Sequence, residues 1–161
     1  MTQSECPPEE IKRIAALCTT KWHRDYTRIK LRTDPAYAAV LREVGGTCLP
    51  LIDIGCGIGL LAMYLRGAGF DADVTGFDYD TGKIEAAKLM AQRSGFSGLH
   101  YAAGDARHEM PAFSGHVVIL DILQFFTSAE QDTLLALAAS RVAAGGRLII
   151  RSGLCENTWR H

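Results

Sequence analysis

The 161-residue chain has no apolar run near the roughly 18–20 residues needed to cross a bilayer. Its start, Met1-Thr2-Gln3-Ser4-Glu5, has neither the basic residues nor the apolar stretch of a secretory leader. A soluble, cytoplasmic protein without membrane partners is expected. Charge of one sign is equally scarce: 17 Lys plus Arg stand against 18 Asp plus Glu, for a net charge of −1. Binding driven by phosphate neutralisation is thereby disfavoured, and nucleic acid with it. The five cysteines, Cys6, Cys18, Cys48, Cys56 and Cys155, offer no CxxC pair and no Cys/His spacing suited to zinc. Free thiols in a reducing compartment and no metal site follow. Repeats, low-complexity tracts and linkers are missing, so the chain reads as one unit.

The residues present have a globular composition, 48% hydrophobic and 22% charged, in a length suited to one domain. Residues 1–46 read as a helical preface, a lid or cap on the substrate side. Pro7-Pro8-Glu9-Glu10 place proline and acids at a helix start, followed by apolar residues at helical spacing to about Cys18. Asp34-Pro35 opens a second helix with Tyr37, Val40, Leu41 and Val44 on one face, ended by Gly45-Gly46. Residues 47–161 change pattern. Apolar runs at 49–54, 73–77, 99–101, 116–120 and 147–150 predict strands, and 58–66, 81–93 and 129–142 predict helices between them. Strands apolar on both faces, as in Val117-Val118-Ile119-Leu120, predict a Rossmann-like, doubly wound parallel sheet with helices on both faces. Ligands of such sheets lie beyond the carboxyl ends of the strands, where strand order reverses.

The strongest local feature is Leu51-Ile52-Asp53-Ile54-Gly55-Cys56-Gly57-Ile58-Gly59-Leu60, an apolar strand that enters three glycines and then a helix. Gly57 to Ala62 also fits the dinucleotide pattern GxGxxA. Asp53 separates the readings. A carboxylate in an apolar strand costs several kcal/mol unless something pairs with it, and a nearby pyrophosphate would add like-charge repulsion. A cationic ligand without phosphate suits it better. Cys56 reads as a small filler of the loop.

These residues resemble the first motif, D-x-G-x-G-x-G, of the class I S-adenosylmethionine-dependent methyltransferases. Val74-Thr75-Gly76-Phe77-Asp78 is similar to that family's second strand and terminal acid, Gly104-Asp105-Ala106 to the loop after its third strand, Val117 to Leu123 to its fourth, and Ala144 to Ile150 to its fifth. The resemblance implies S-adenosylmethionine as cofactor, held by Asp53, Ile54, Gly55, Cys56, Gly57 and Gly59. Asp78 would accept from the ribose hydroxyls with Tyr79 beside it, Asp105 and Ala106 would meet the adenine, and Asp121 would lie near the methyl donor. It implies methyl transfer to a small molecule, such as an acidic or acyl metabolite, with catalysis mainly by alignment. A noncatalytic cofactor-binding module and a nicotinamide-dependent oxidoreductase are the alternatives.

Many small-molecule relatives continue the fourth motif as D-x-L-H, whereas this chain has Asp121-Ile122-Leu123-Gln124, and glutamine takes no proton at neutral pH. The N/D-P-P-Y/F signature of nitrogen methylation is missing. Acceptor-side candidates are therefore His23 and Tyr26, read in a poorly periodic stretch, Gln124 as a positioning residue, and Arg151 as a fork for an acidic group. Only ten residues follow Arg151, too few for the two further strands of relatives. The expectation is a C-terminally truncated sheet whose fifth strand is an exposed edge, covered by the tail or by a second copy in a homodimer.

Overall fold

The computed structural model describes residues 5–153. β1 (Leu51–Ile54), β2 (Val74–Asp78), β3 (Leu99–Ala103), β4 (His116–Leu120) and β5 (Leu148–Arg151) form one parallel sheet in the order β3-β2-β1-β4-β5. The strands lie where the apolar runs place them, and β1 is buried along its whole length, as a sheet covered on both faces requires. Strand order reverses between β1 and β4, which opens a crevice at their carboxyl ends.

α1 (Pro8–Ala16) begins with proline, and α3 (Pro35–Val44) is capped by Asp34, whose Oδ1 accepts from Ala36 N at 2.9 Å. α4 (Leu60–Gly67), α5 (Thr81–Ser94) and α6 (Ser128–Ser140) alternate with the strands. α6 opens on a reciprocal cap: Glu130 N donates to Thr127 Oγ1 at 3.3 Å and Thr127 N donates to Glu130 Oε2 at 2.9 Å. Thr127→Ala is expected to cost about 1 kcal/mol, lowering Tm by roughly 2–4 °C in calorimetry; an unchanged Tm would show the cap to be idle.

One helix departs from the sequence reading. α2 (Lys21–Thr33) occupies the stretch read as poorly periodic, started by Thr20, whose Oγ1 accepts from His23 N at 3.1 Å. Its buried residues are Thr27 and Leu31, while Trp22, Tyr26 and Ile29 are exposed. Apolar spacing therefore does not mark its inward face, and a periodicity argument passes over it.

Side-chain alternation along β1 divides the core. Leu51 joins Ile14, Val40, Val44, Met63 and Leu65 on one face, so the helical preface shares a core with the sheet. Ile52 and Ile54 join Val117, Ile119, Leu134 and Ala138 on the other. His116, fully buried at the start of β4, accepts from Arg147 N at Nδ1 (3.0 Å), and its Nε2 lies 2.6 Å from Thr47 Oγ1. Burial, and then the charge of Arg147, push its pKa down, so it is a neutral strut.

β5 is an outer strand with Ile150 43% exposed. The tail expected to cover it, with Cys155, lies largely in 154–161, outside the described residues. Cys6, Cys18, Cys48 and Cys56 are free thiols. Among the described residues no helix is long and apolar enough to cross a membrane, and no three His, Cys, Asp or Glu side chains gather as a metal site.

Candidate cofactor site

The strand-to-helix turn after β1 sits in the crevice at the order reversal. Gly55 (φ +79°), Gly57 (φ +56°) and Gly59 (φ +84°) all adopt left-handed backbone. At Gly55 a Cβ would stand 2.6 Å from Ile122 Cγ2, so this position must be bare for the turn to pass β4. At Gly57 nothing lies within 4 Å of that point: the missing side chain leaves open space facing the cavity. The backbone N–H groups of Gly55 and Cys56 donate to Phe77 O (2.7 and 3.2 Å), and Gly57 N donates to Asp78 Oδ2 at 2.8 Å, which fastens the turn to the end of β2.

Asp53 lies beneath this turn, paired in register with Gly76 of β2 and Val118 of β4, and is 5% exposed. Among the described residues no donor hydrogen-bonds its carboxylate. Burial, followed by repulsion from Asp78, pushes its pKa up to about 7. An acid held half-charged at neutral pH with no partner is a site that favours a cation. Cys56 does not compete for a chemical role, because burial pushes its thiol well above the usual range and its Sγ turns to Gly57 O.

At the end of β2, Asp78 Oδ1 accepts from Asp80 N at 2.9 Å, so each oxygen keeps lone pairs for a further donor. Tyr79 beside it is 76% exposed. Beyond β3, the Asp105 carboxylate is gripped by Arg107, with Nη2 at 2.6 Å and Nε at 3.0 Å, and these bonds hold its pKa down to about 2.

The floor on the far side is an ion-pair network. Asp121, the first residue after β4, has φ +60° and pairs with Arg151 at the end of β5 (Nε to Oδ1, 2.9 Å). Arg151 also grips Asp34, which caps α3 and accepts from Lys30 Nζ of α2 at 2.7 Å. The Arg151 bonds, countered by burial, place the Asp34 pKa well below the usual carboxylate range. The fork expected to hold an acidic acceptor group is thus already filled from within the chain. Gln124 is tied back: its Nε2 donates to Asp121 O at 2.8 Å, and Ser152 Oγ lies 3.3 Å from its Oε1.

One cavity of about 960 Å³ joins these parts. Asp53, Gly55, Cys56, Gly57, Asp78 and Tyr79 line it, as do Asp105, Ala106 and Asp121. So do His23, Tyr26 and Arg151 from the acceptor-side set. Three expected residues do not. Ile54 faces the opposite core by strand alternation, Gly59 lies under the Tyr101 ring, and Gln124 is drawn to backbone. The cavity also takes in Trp22 and Lys30, which are not among the expected site residues. With Tyr26 they recur every fourth residue along α2, a stripe a helical wheel would have found. Tyr37, read as core, lines the cavity too; burial, then the charges of Asp53 and Asp34, push its hydroxyl pKa far up.

Residues 48–157 match the methyltransferase domain family. The ribosomal protein L11 methyltransferase of Cupriavidus taiwanensis is 35% identical over 109 residues, 66% of this chain and 32% of that protein. The ubiquinone biosynthesis O-methyltransferase of Brucella anthropi is 33% identical over 102 residues, 63% of this chain and 40% of that protein. The chain thus spans about a third of the length of such curated relatives. Among solved structures, magnesium protoporphyrin IX methyltransferase from Synechocystis, with bound S-adenosylhomocysteine, superposes with a TM-score of 0.60 at 20% identity, covering 83% of this chain and 62% of that one. A Pyrococcus horikoshii protein superposes with a TM-score of 0.66 at 18% identity, covering 84% and 60%. At such identity the structures establish the shared fold alone. The family match over the glycine turn, the acidic strand ends and the sheet order together make this chain a member of the class I S-adenosylmethionine-dependent methyltransferase family.

Proposed function

We propose that the chain binds S-adenosylmethionine in the cavity above β1 and transfers its methyl group to a small-molecule acceptor. The observation that carries this reading is the buried, unpartnered Asp53 carboxylate under an open glycine turn. It fits a ligand with a cationic aminoacyl end, and the free lone pairs of Asp78 fit a vicinal diol. Tyr79 would cover the base, and Asp105 would share its carboxylate between the adenine amino group and Arg107. Bound there, S-adenosylmethionine supplies a methyl on a positively charged sulfur whose departure as a neutral thioether is already favourable. The chain's task is then alignment, with the acceptor atom forming its bond to carbon as the carbon–sulfur bond breaks. Residues 1–46 would serve as the acceptor-side wall and the remainder as the cofactor core. His23 and Tyr26 reach the cavity, where His23 would take a proton from an acceptor hydroxyl and Tyr26 would offer its ring; Gln124 would only hold the β4 exit in place.

The named relatives methylate a ribosomal protein in one case and act in ubiquinone biosynthesis in the other. A small acceptor is favoured by concavity, since about 960 Å³ is near the top of the roughly 300–1,000 Å³ that single-ligand pockets occupy. Calorimetric titration is expected to give binding of S-adenosylhomocysteine and none of NAD. Radiolabelled S-adenosylmethionine should then label a component of a metabolite extract. Preferential NAD binding would reverse the assignment to oxidoreductase chemistry, and cofactor binding without any labelled product would leave a noncatalytic module.

A further inference from the structure

Seven large hydrophobic side chains are conspicuously exposed among the described residues, and four of them, Trp22, Tyr26, Tyr79 and Phe125, line the cavity above β1. Tyr79 stands beside Asp78, on the side assigned to the cofactor. The others belong to the opposite end, on α2 and on the short 3-10 turn Leu123–Phe125 that follows β4. Trp22 and Tyr26 form a preassembled surface: their rings are parallel to within 3°, with centroids 5.3 Å apart, and His23 meets the Trp22 ring edge-on at 5.1 Å.

This helix is built the wrong way round for packing alone. Thr27 and Leu31 face the core while Trp22 stays 68% exposed, so its largest apolar surface is presented to the cavity mouth. A paired aromatic platform in water carries an unfavourable exposure that a flat ligand removes. The charges along the same wall point to a ligand without charge. Of the four Lys and Arg side chains lining the cavity, Lys30, Arg107 and Arg151 already face carboxylates of this chain. The fourth, Lys83, lies in the first turn of α5 next to the cap Asp80, on the cofactor side.

We infer that the acceptor is an uncharged, planar aromatic small molecule bearing a hydroxyl, stacked on the Trp22–Tyr26 platform. Phe125 closes the mouth, and His23 stands where it can receive the hydroxyl proton. This rests on the methyl-transfer reading above and narrows it: an acidic metabolite and a lysine-bearing protein are both disfavoured as acceptors.

The test uses the full chain loaded with S-adenosylhomocysteine and titrated calorimetrically with 2-naphthol, its saturated counterpart decahydro-2-naphthol, the anion 2-naphthoate, and a lysine-rich peptide. Binding of 2-naphthol is expected, roughly three- to tenfold tighter than the saturated alcohol, with naphthoate no better and the peptide inert. Trp22→Ala and Tyr26→Ala should each remove most of that preference. Both side chains are exposed, and unaltered S-adenosylhomocysteine affinity would show the variants to be folded. With Trp159→Phe leaving Trp22 as the sole tryptophan, naphthol should quench its fluorescence. Equal affinity for flat and saturated alcohols, tighter naphthoate, peptide competition, silent substitutions, or no naphthol binding up to its solubility would each overturn the inference. Failure of S-adenosylhomocysteine to bind the unmodified chain would instead overturn the cofactor reading beneath it.

Discussion

Asp53→Asn is expected to make the ligand-free protein more stable and a poorer binder of S-adenosylmethionine. The two effects have one cause. The Asp53 pKa is raised by folding, from 3.8 to about 7. Its contribution to stability is therefore fully present below the unfolded value, near pH 4, and is lost as pH rises through 7. Asparagine has the same shape and cannot ionise, so the variant should gain on the order of 2–4 kcal/mol over the unmodified chain at pH 8 and nothing near pH 4. Taking the difference between the two proteins in urea denaturation removes the opposing titration of His116, common to both. For the cofactor the sign inverts, because a cationic ligand needs the carboxylate charged. Loss of the charge partner should weaken binding by roughly thirtyfold or more, corresponding to about 2 kcal/mol at the least. The unmodified protein should bind more tightly as pH rises from 6 to 7.5, and the variant should not. Undiminished affinity in the variant would remove Asp53 from the cofactor site.

Arg151→Met is expected to destabilise the protein by about 2–3 kcal/mol. Removing one member of a fully buried ion pair costs about 3–5 kcal/mol; here the side chains of Arg151 and Asp121 are 34% and 39% exposed, and solvent screening reduces the figure. Asp34, only 8% exposed, is left with Lys30. Because folding depresses the Asp34 pKa, its contribution is present above the unfolded value and lost as pH falls through the folded one. The gap between variant and unmodified protein should accordingly be full at pH 7 and narrow below about pH 4. A gap that stays constant from pH 7 to pH 3 would mean that packing of the arginine stem, not its charge, holds the two strand ends. Arg151→Lys should recover only part of the loss, since an ammonium cannot fork between two carboxylates.

What could be read from the sequence was what is local. Asp53 through Gly59 announces a strand, a bend and a helix within a few residues, because each of its constraints, apolar burial, left-handed backbone and a carboxylate out of place, acts where it is written. The five strands are legible for the same reason. α2 was not, because Trp22 and Tyr26 face a cavity rather than the core and so spoil the periodicity that reveals a helix. The fate of Arg151 was hidden too, since its partner Asp34 stands 117 residues earlier. Nothing at either position signals the other. Ile54 shows a third kind of miss, in which a motif naming neighbouring residues says nothing of which face of the strand each one takes.

Asp34 has two employments: it starts α3 through Ala36 N and holds the end of β5 through Arg151. A lineage in which residue 34 drifted to serine or asparagine would keep a competent helix start yet abandon the guanidinium. The two positions must therefore be inherited as a couple, and grafting these helices onto another member's sheet would carry position 151 along with them.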